Sequence, residues 1–267
     1  MKVTVNGHRL ELDCQTAFQV REQIGSQTDI VILNGFQIDK DCKITEGDAL
    51  TIIRKGAIPK REELEGMMMA RHTSNVYEKI KKGKVAIAGL GGLGSNIAVM
   101  LARSGVGQLL LIDFDVVEPS NLNRQSYYIS HLGLPKTVAL KKQLGEINPF
   151  IKVETKQTKV TADNVEELFV GYDIICEAFD QPEAKSLLVN VALEQLPGIK
   201  IVAASGMAGY DSANLIKTVK PMKNLYLCGD FENEARPGRG LLAPRVQICA
   251  GHQANMVLRL LLGIEDV

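Results

Sequence analysis

The chain has no surplus of charge of either sign: Lys+Arg and Asp+Glu both count 31 in 267 residues. A balanced charge supplies no long-range pull toward nucleic acid or an anionic membrane surface, so neither is an expected partner. No apolar run approaches the roughly 18 residues of a membrane span. The start, Met1-Lys2-Val3-Thr4-Val5-Asn6-Gly7, alternates and then turns, which is not the pattern of a signal peptide. Five cysteines (Cys14, Cys42, Cys176, Cys228, Cys249) are scattered, odd in number and without a C-x-x-C pair. That argues against a disulfide framework and a four-cysteine zinc knuckle, and for reduced thiols in a cytoplasmic protein. A hydrophobic content of 45% is enough for a sizeable core.

What is present divides into three stretches. Residues 1–56 read as a small α+β unit. Residues 2–5 and 9–12 flank Asn6-Gly7, a two-residue hairpin signal, and Thr16-Ala17-Phe18-Gln19 is a capping-box pattern opening a short helix. Residues 30–33 and 49–53 read as strands, and this order suggests a β-grasp, the ubiquitin-like arrangement, with a generic two-layer sheet as the alternative. Residues 57–82, rich in Lys, Arg and Glu and carrying Met67-Met68-Met69, read as a helical linker whose methionines pack as core.

From residue 83 to 267, strands and helices alternate. Strands are expected over 85–88, 109–112, 152–155, 173–176 and 199–204, with helices over 96–103, 136–147, 164–169 and 183–195. Continuous apolar strands with helical crossovers predict an α/β, Rossmann-like, doubly wound and mostly parallel sheet. Residues 221–243, with Pro221, Gly229, Pro237, Gly238 and Gly240, read as a long loop before a last helix over 246–262.

Gly89, Gly91 and Gly94 fit G-x-G-x-x-G between a strand and a helix, and Asp113 ends the next apolar run. Such glycines admit a tight turn and a close approach to phosphate at a helix N-terminus, and the later carboxylate suits a ribose. The fingerprint alone does not separate NAD from ATP. The segment from Asp113 to Gln125 follows as a polar loop with Asp115, Asn121 and Arg124, and Gly133-Leu134-Pro135-Lys136 sets a lysine at a helix start. An arginine fork and a lysine point charge beside a phosphate cradle suit a triphosphate. Asp180, just past another strand, is placed either to hold Mg²⁺ between phosphate oxygens or to cap the next helix. Arg124 could instead pair with Asp115 or Glu118.

Together, Gly89-x-Gly91-Gly92-Leu93-Gly94-Ser95, Asp113-x-Asp115-x-Val117, Ser120-Asn121-Leu122-x-Arg124-Gln125, Gly133-x-x-Lys136 and Asp180 resemble the ThiF/MoeB-type adenylating enzymes of the ubiquitin-activating superfamily. The resemblance covers about residues 70–263, and residues 1–56 separately resemble a ThiS-like carrier fused in front. It implies adenylation, with ATP and Mg²⁺, of the C-terminal glycine of a ThiS-type sulfur carrier protein in thiamine biosynthesis, by a homodimer. It places Gly89, Gly91, Gly92 and Gly94 on phosphates, Asp113 on the ribose, and Asp115 and Gln125 in the nucleotide site. Asn121, Arg124 and Lys136 fall on the triphosphate, and Asp180 on Mg²⁺. Arg71, at an unusual spacing, resembles the arginine that reaches the partner's ATP.

Two departures stand out. The region of the family's first zinc half-site reads Leu225-Tyr226-Leu227-Cys228, so no zinc site is expected, and no loop cysteine lies near Glu234-Ala235-Arg236-Pro237. The chain thus resembles a short, zinc-free ThiF subfamily. The alternatives are the same chemistry on a molybdopterin carrier or a tRNA carboxylate, a binding scaffold without turnover, and an NAD-dependent oxidoreductase. The last lacks an evident general acid, since His8, His72, His131 and His252 sit in no motif.

Overall fold

A computed structural model describes every residue of the chain except Lys55, Ala57 and Ile58, and except the side chain of Ser74. It divides into two compact units, Met1–Lys79 and Ile80–Val267.

In the first unit, five strands order as β2-β1-β5-β3-β4: β1 (Lys2–Val5), β2 (His8–Glu11), β3 (Ile30–Leu33), β4 (Phe36–Ile38) and β5 (Ala49–Ile53). Asn6 (φ 49°) and Gly7 (φ 83°) are both left-handed, the backbone of a type I′ hairpin turn. Helix α1 (Ala17–Ile24) opens with the expected capping box, Thr16 and Gln19 exchanging side-chain and backbone bonds. Its Ala17 and Val20 pack on Val3, Val5, Val31, Leu50 and Ile52, which alternate along one face of the sheet. Ile32 and Thr51 fall on the opposite face and are also buried. Helix α2 (Arg61–His72) packs against β5 and explains this. A side chain at Gly66 would meet the Asn6 carbonyl carbon at 3.2 Å, and one at Gly35 would meet the Ala70 oxygen at 3.1 Å. The helix therefore crosses from one β-turn to the other. Short β4 was not anticipated from the sequence, and in Arg54-Lys55-Gly56-Ala57, at the end of the ThiS-like region, Lys55 and Ala57 lie outside the described residues.

Helix α3 (Ser74–Lys82) leads into the second unit. There seven strands order as β11-β12-β10-β9-β6-β7-β8. They are β6 (Lys84–Ala88), β7 (Gln108–Ile112), β8 (Lys152–Lys156), β9 (Ile174–Glu177), β10 (Lys200–Ala204), β11 (Lys217–Met222) and β12 (Leu225–Gly229). All pair in parallel except β11 with β12. Helices α4 (Gly92–Arg103), α5 (Lys136–Ile147), α6 (Val165–Phe169), α7 (Pro182–Gln195) and α8 (Ala243–Leu261) supply the crossovers and the layers. Helices α6 and α7 bury Phe169 and Leu188 against Ala86, Ala88, Leu110 and Ile112, while α4 and α8 pack along each other. The fold class is the one expected.

One expectation fails. Residues 221–243 are not one long loop. Their first part completes β11 and forms β12, whose Tyr226 and Cys228 are fully buried and whose four register pairs run beside β10. Gly229 ends that buried strand, and Pro221 lies on the edge strand β11, where a missing N–H costs no ladder bond.

Candidate nucleotide site

Strands β6 and β7 pair side by side with Ala88 opposite Ile112, so both chains leave the sheet at one edge. Gly89 N–H donates to the Ile112 oxygen at 2.9 Å, and the chain turns at once into α4. The turn is as tight as it can be: a methyl group on Gly94 would lie 1.8 Å from the Gly89 oxygen. Gly91 differs, since a methyl group there would meet only Gln125 Nε2, at 4.0 Å. The first bond of α4 runs from Ser95 N–H to the Gly91 oxygen. The N–H groups of Gly92, Leu93 and Gly94 therefore have no acceptor within the helix. Open space at Gly91 beside those donors is a cradle of anion-binding type.

Asp113 is buried at the seam. Its Oδ2 accepts the Leu90 N–H at 2.7 Å and its Oδ1 accepts the Asp115 N–H at 2.8 Å, which fixes the glycine turn to the loop after β7. Each carboxylate oxygen keeps a further acceptor position. Tyr127 donates its hydroxyl to the Leu90 oxygen at 2.9 Å. Burial, with Asp113 and Asp115 nearby, pushes its pKa up, so it stays a neutral donor.

The polar loop folds over this turn. Lys136, the first residue of α5, is buried, donates from Nζ to Asp115 Oδ2 at 3.1 Å and lies 4.0 Å from Asp113 Oδ2. It is buried against these two carboxylates and is not a solvated helix start. Asn121 accepts the Glu118 N–H at 3.0 Å through Oδ1 and serves its own turn. The stem of Arg124 lies against Gly92, its Cγ 3.5 Å from where a methyl group would sit. Arg124 Nη1 donates to the Ser120 oxygen and to Asn123 Oδ1, and Arg124 forms no ion pair with Asp115 or Glu118. Arg124 Nε and Gln125 Oε1 are buried and have no partner among the described residues.

Two residues that sequence reasoning passed over hold this loop. Ser95 Oγ accepts the Ser126 N–H at 3.0 Å, and Asn96 Nδ2 donates to the Gly92 and Arg124 oxygens at 2.6 and 3.1 Å. The available signal was two polar residues on the inner side of an otherwise apolar helix.

On the other side of β6, Glu177 ends β9 opposite Ala88. Glu177 is buried, both its oxygens accept from Lys185 Nζ at 3.1 Å, and burial pushes its pKa up against the pull of that lysine. Asp180, three residues on, is exposed and makes no hydrogen bond or ion pair among the described residues. It does not cap α7, whose N-cap is Gln181. The two stretches adjoin, for a methyl group on Gly89 would lie 2.8 Å from the Ala178 oxygen. Among the described residues no group of three or more His, Cys, Asp or Glu is placed to hold a metal ion alone. A cation here would need substrate oxygens as well as Asp180, which suits Mg²⁺. Arg71 is exposed in the last turn of α2, in the first unit, and the geometry of the second unit does not include it.

Residues 65–267 match the ThiF family, and residues 1–56 match the ThiS-like ubiquitin family. The chain belongs to the ThiF family. Among its relatives is the adenylyltransferase and sulfurtransferase UBA4 of Saccharomyces cerevisiae, 32% identical over 194 residues that make up 70% of this chain and 43% of that protein. The adenylyltransferase and sulfurtransferase MOCS3 of Dictyostelium discoideum is 32% identical over 190 residues, 66% of this chain and 42% of that one. The chain therefore spans less than half the length of these relatives. Among solved structures, the tRNA N6-threonylcarbamoyladenosine dehydratase TcdA of E. coli in complex with ATP superposes with a TM-score of 0.68 at 22% identity, covering 78% of this chain and 98% of that one. No described helix is long and apolar enough to cross a membrane.

Proposed function

We propose that this ThiF-family chain uses ATP to adenylate the C-terminal glycine carboxylate of a separate ThiS-type sulfur carrier protein, in thiamine biosynthesis. The observation that carries the reading is that Arg124 and Gln125, whose buried Nε and Oε1 have no partner among the described residues, lie against Gly92 and Gly91 at the open start of α4. The printed names of the yeast and Dictyostelium relatives, and the ATP in the E. coli structure, support a nucleotide and a transfer chemistry of this class.

In this reading the free N–H groups at the start of α4 and the Arg124 guanidinium hold phosphate oxygens, with Asn121 and Lys136 on the triphosphate. Asp113 and Asp115 face the ribose side. Lys136, now paired with Asp115, exchanges part of that pairing for phosphate. A carrier carboxylate oxygen bonds to the α-phosphorus while the bond to the bridging oxygen of the β-phosphate breaks, so pyrophosphate leaves with the electron pair. The protein contributes alignment and a preorganised positive field. Mg²⁺, when bound through Asp180, neutralises phosphate charge. The chain works as a cytoplasmic homodimer, with Arg71 reaching the partner's site.

The test is ATP–pyrophosphate exchange. Exchange is expected only with Mg²⁺ and a separate carrier ending in Gly-Gly. Tight NADH binding without ATP binding in calorimetry, or ATP turnover driven by tRNA and by no carrier, would overturn the reading.

A further inference from the structure

The strand order reverses between β6 and β9, the sheet's switch point, and on the β9 side two loops leave the C-terminal ends of β10 and β12 and converge on Arg245. This arginine lies in the first turn of α8 and is buried. Its Nε donates to the Met207 oxygen at 3.3 Å, its Nη1 to the Asp211 and Ser212 oxygens at 2.6 and 3.1 Å, and its Nη2 to Asp230 Oδ2. Asp230 in turn accepts the Glu232 and Asn233 N–H groups at 3.0 and 2.9 Å and Asn233 Nδ2 at 2.7 Å. The Asn233 carbonyl accepts the N–H groups of Met207 and Ala208, both at 3.1 Å, and Gly209 N–H donates to the Gly240 oxygen at 2.8 Å. Arg239 closes the ring, with Nη1 on Asn233 Oδ1 at 2.5 Å and Nη2 on Asp211 Oδ2 at 2.7 Å.

This ring is tied to the nucleotide site twice. Val246, the neighbour of Arg245, stands 2.9 Å from where a methyl group on Gly92 would sit. Asn123, the neighbour of Arg124, donates to the Leu241 oxygen at 3.3 Å. A buried ion pair is a poor device for stability alone, because apolar residues of similar volume do as well or better. An in-line displacement also needs its nucleophile to arrive opposite the leaving pyrophosphate, and these loops occupy the part of the same sheet edge that the phosphate cradle leaves.

We infer that Arg245 is a positioning residue: it locks residues 205–212 and 230–242 into one rigid wall that guides the acceptor's C-terminal tail to the nucleotide. The inference rests on the adenylation reading above for what the wall guides, and on the hydrogen-bond ring alone for the wall itself.

The experiment compares the full chain with Arg245→Met and Arg239→Gln, following carrier and ATP kinetics, melting temperature and backbone deuterium uptake. Arg239→Gln, at a partly exposed pair, keeps the comparison decisive if Arg245→Met does not fold. Expected are an ATP KM within about twofold of wild type, a carrier KM raised about tenfold or more, and faster uptake in 205–212 and 230–242 together. Equal changes in both KM values, or uptake that changes in only one loop, would overturn the inference. If the wild-type chain adenylates no carrier, the function reading fails by itself. Deuterium uptake then decides on the wall: concerted loosening of both loops supports it and independent loosening contradicts it.

Discussion

The two sides of the switch point handle polar groups in opposite ways. Beyond β10 and β12, Arg245, Asp230, Arg239 and Asp211 satisfy one another in a closed ring. Beyond β6 and β7, Arg124 Nε and Gln125 Oε1 are buried without partners among the described residues, and beyond the adjoining β9 Asp180 is exposed. An unsatisfied buried donor or acceptor costs about 1–3 kcal/mol. Under the proposed function, a fold that closes one polar ring so completely and leaves the other open bears that cost where a ligand would supply the partners. Gln253 Oε1 also lacks a partner among the described residues, but it does not lie within 4 Å of where a methyl group on Gly91 would sit. Orphaned groups and open space together, rather than orphans alone, separate a site from a packing compromise.

The strongest way to break the contrast is to fill the cradle's own turn. Gly94→Ala puts a carbon 1.8 Å from the Gly89 oxygen. It should abolish ATP binding and destabilise the second unit by roughly 3 kcal/mol, seen by calorimetry and urea denaturation. Arg124→Ala and Asp180→Ala should each lower pyrophosphate exchange about a hundredfold or more with the fold intact, as when other preorganised charge-stabilising groups are lost. Turnover near wild type in either variant would mean that these side chains serve the scaffold.

The closed ring makes a different, smaller prediction. Burial opposes ionisation of Asp230, but the hydrogen bonds from Asn233 and Glu232 and the charge of Arg245 prevail and hold its carboxyl below the usual range. A depressed carboxylate contributes stability that is complete above its unfolded pKa of about 3.9 and disappears as pH falls through the lower folded value. Melting temperature should therefore fall with acid below about pH 4, and Asp230→Asn should flatten that part of the curve. A variant as acid-sensitive as wild type would remove the ring from the account.

The smallest effect on chemistry is expected from the first unit. A truncated chain beginning near Gly56 should still bind ATP and adenylate an external carrier. Helix α2 would lose the sheet it covers, with Gly66 no longer against Asn6, so the loss should be read in melting temperature and not in turnover. A large drop in exchange at unchanged stability would assign residues 1–56 a part in the reaction.

Much of the second unit was legible because its central strands β6, β7, β9 and β10 are short, mostly apolar runs and the turn after β6 needs glycine for steric reasons that leave a spacing behind. Lys136 could be placed at a helix start by Pro135 alone. What escaped was polar structure inside apolar context. Ser95 and Asn96 look like tolerated helix residues until the loop they hold is seen, and Arg245 and Asp230 lie 15 positions apart with no pattern joining them. Strand β12 was missed because Pro221 before it and Gly229 at its end are ordinary loop markers. Its burial comes from β10 and α8, partners that no local window contains.

The central claim is carboxylate adenylation at the open cradle, and the mass of the acceptor tests it most directly. The whole 267-residue chain, incubated with ATP, Mg²⁺ and a carrier ending in Gly-Gly, should add one adenylyl group to that carrier and none to a carrier lacking its last glycine. An adenylyl group found on residues 1–56 of the chain itself, or on no carrier while ATP is bound, would contradict the account.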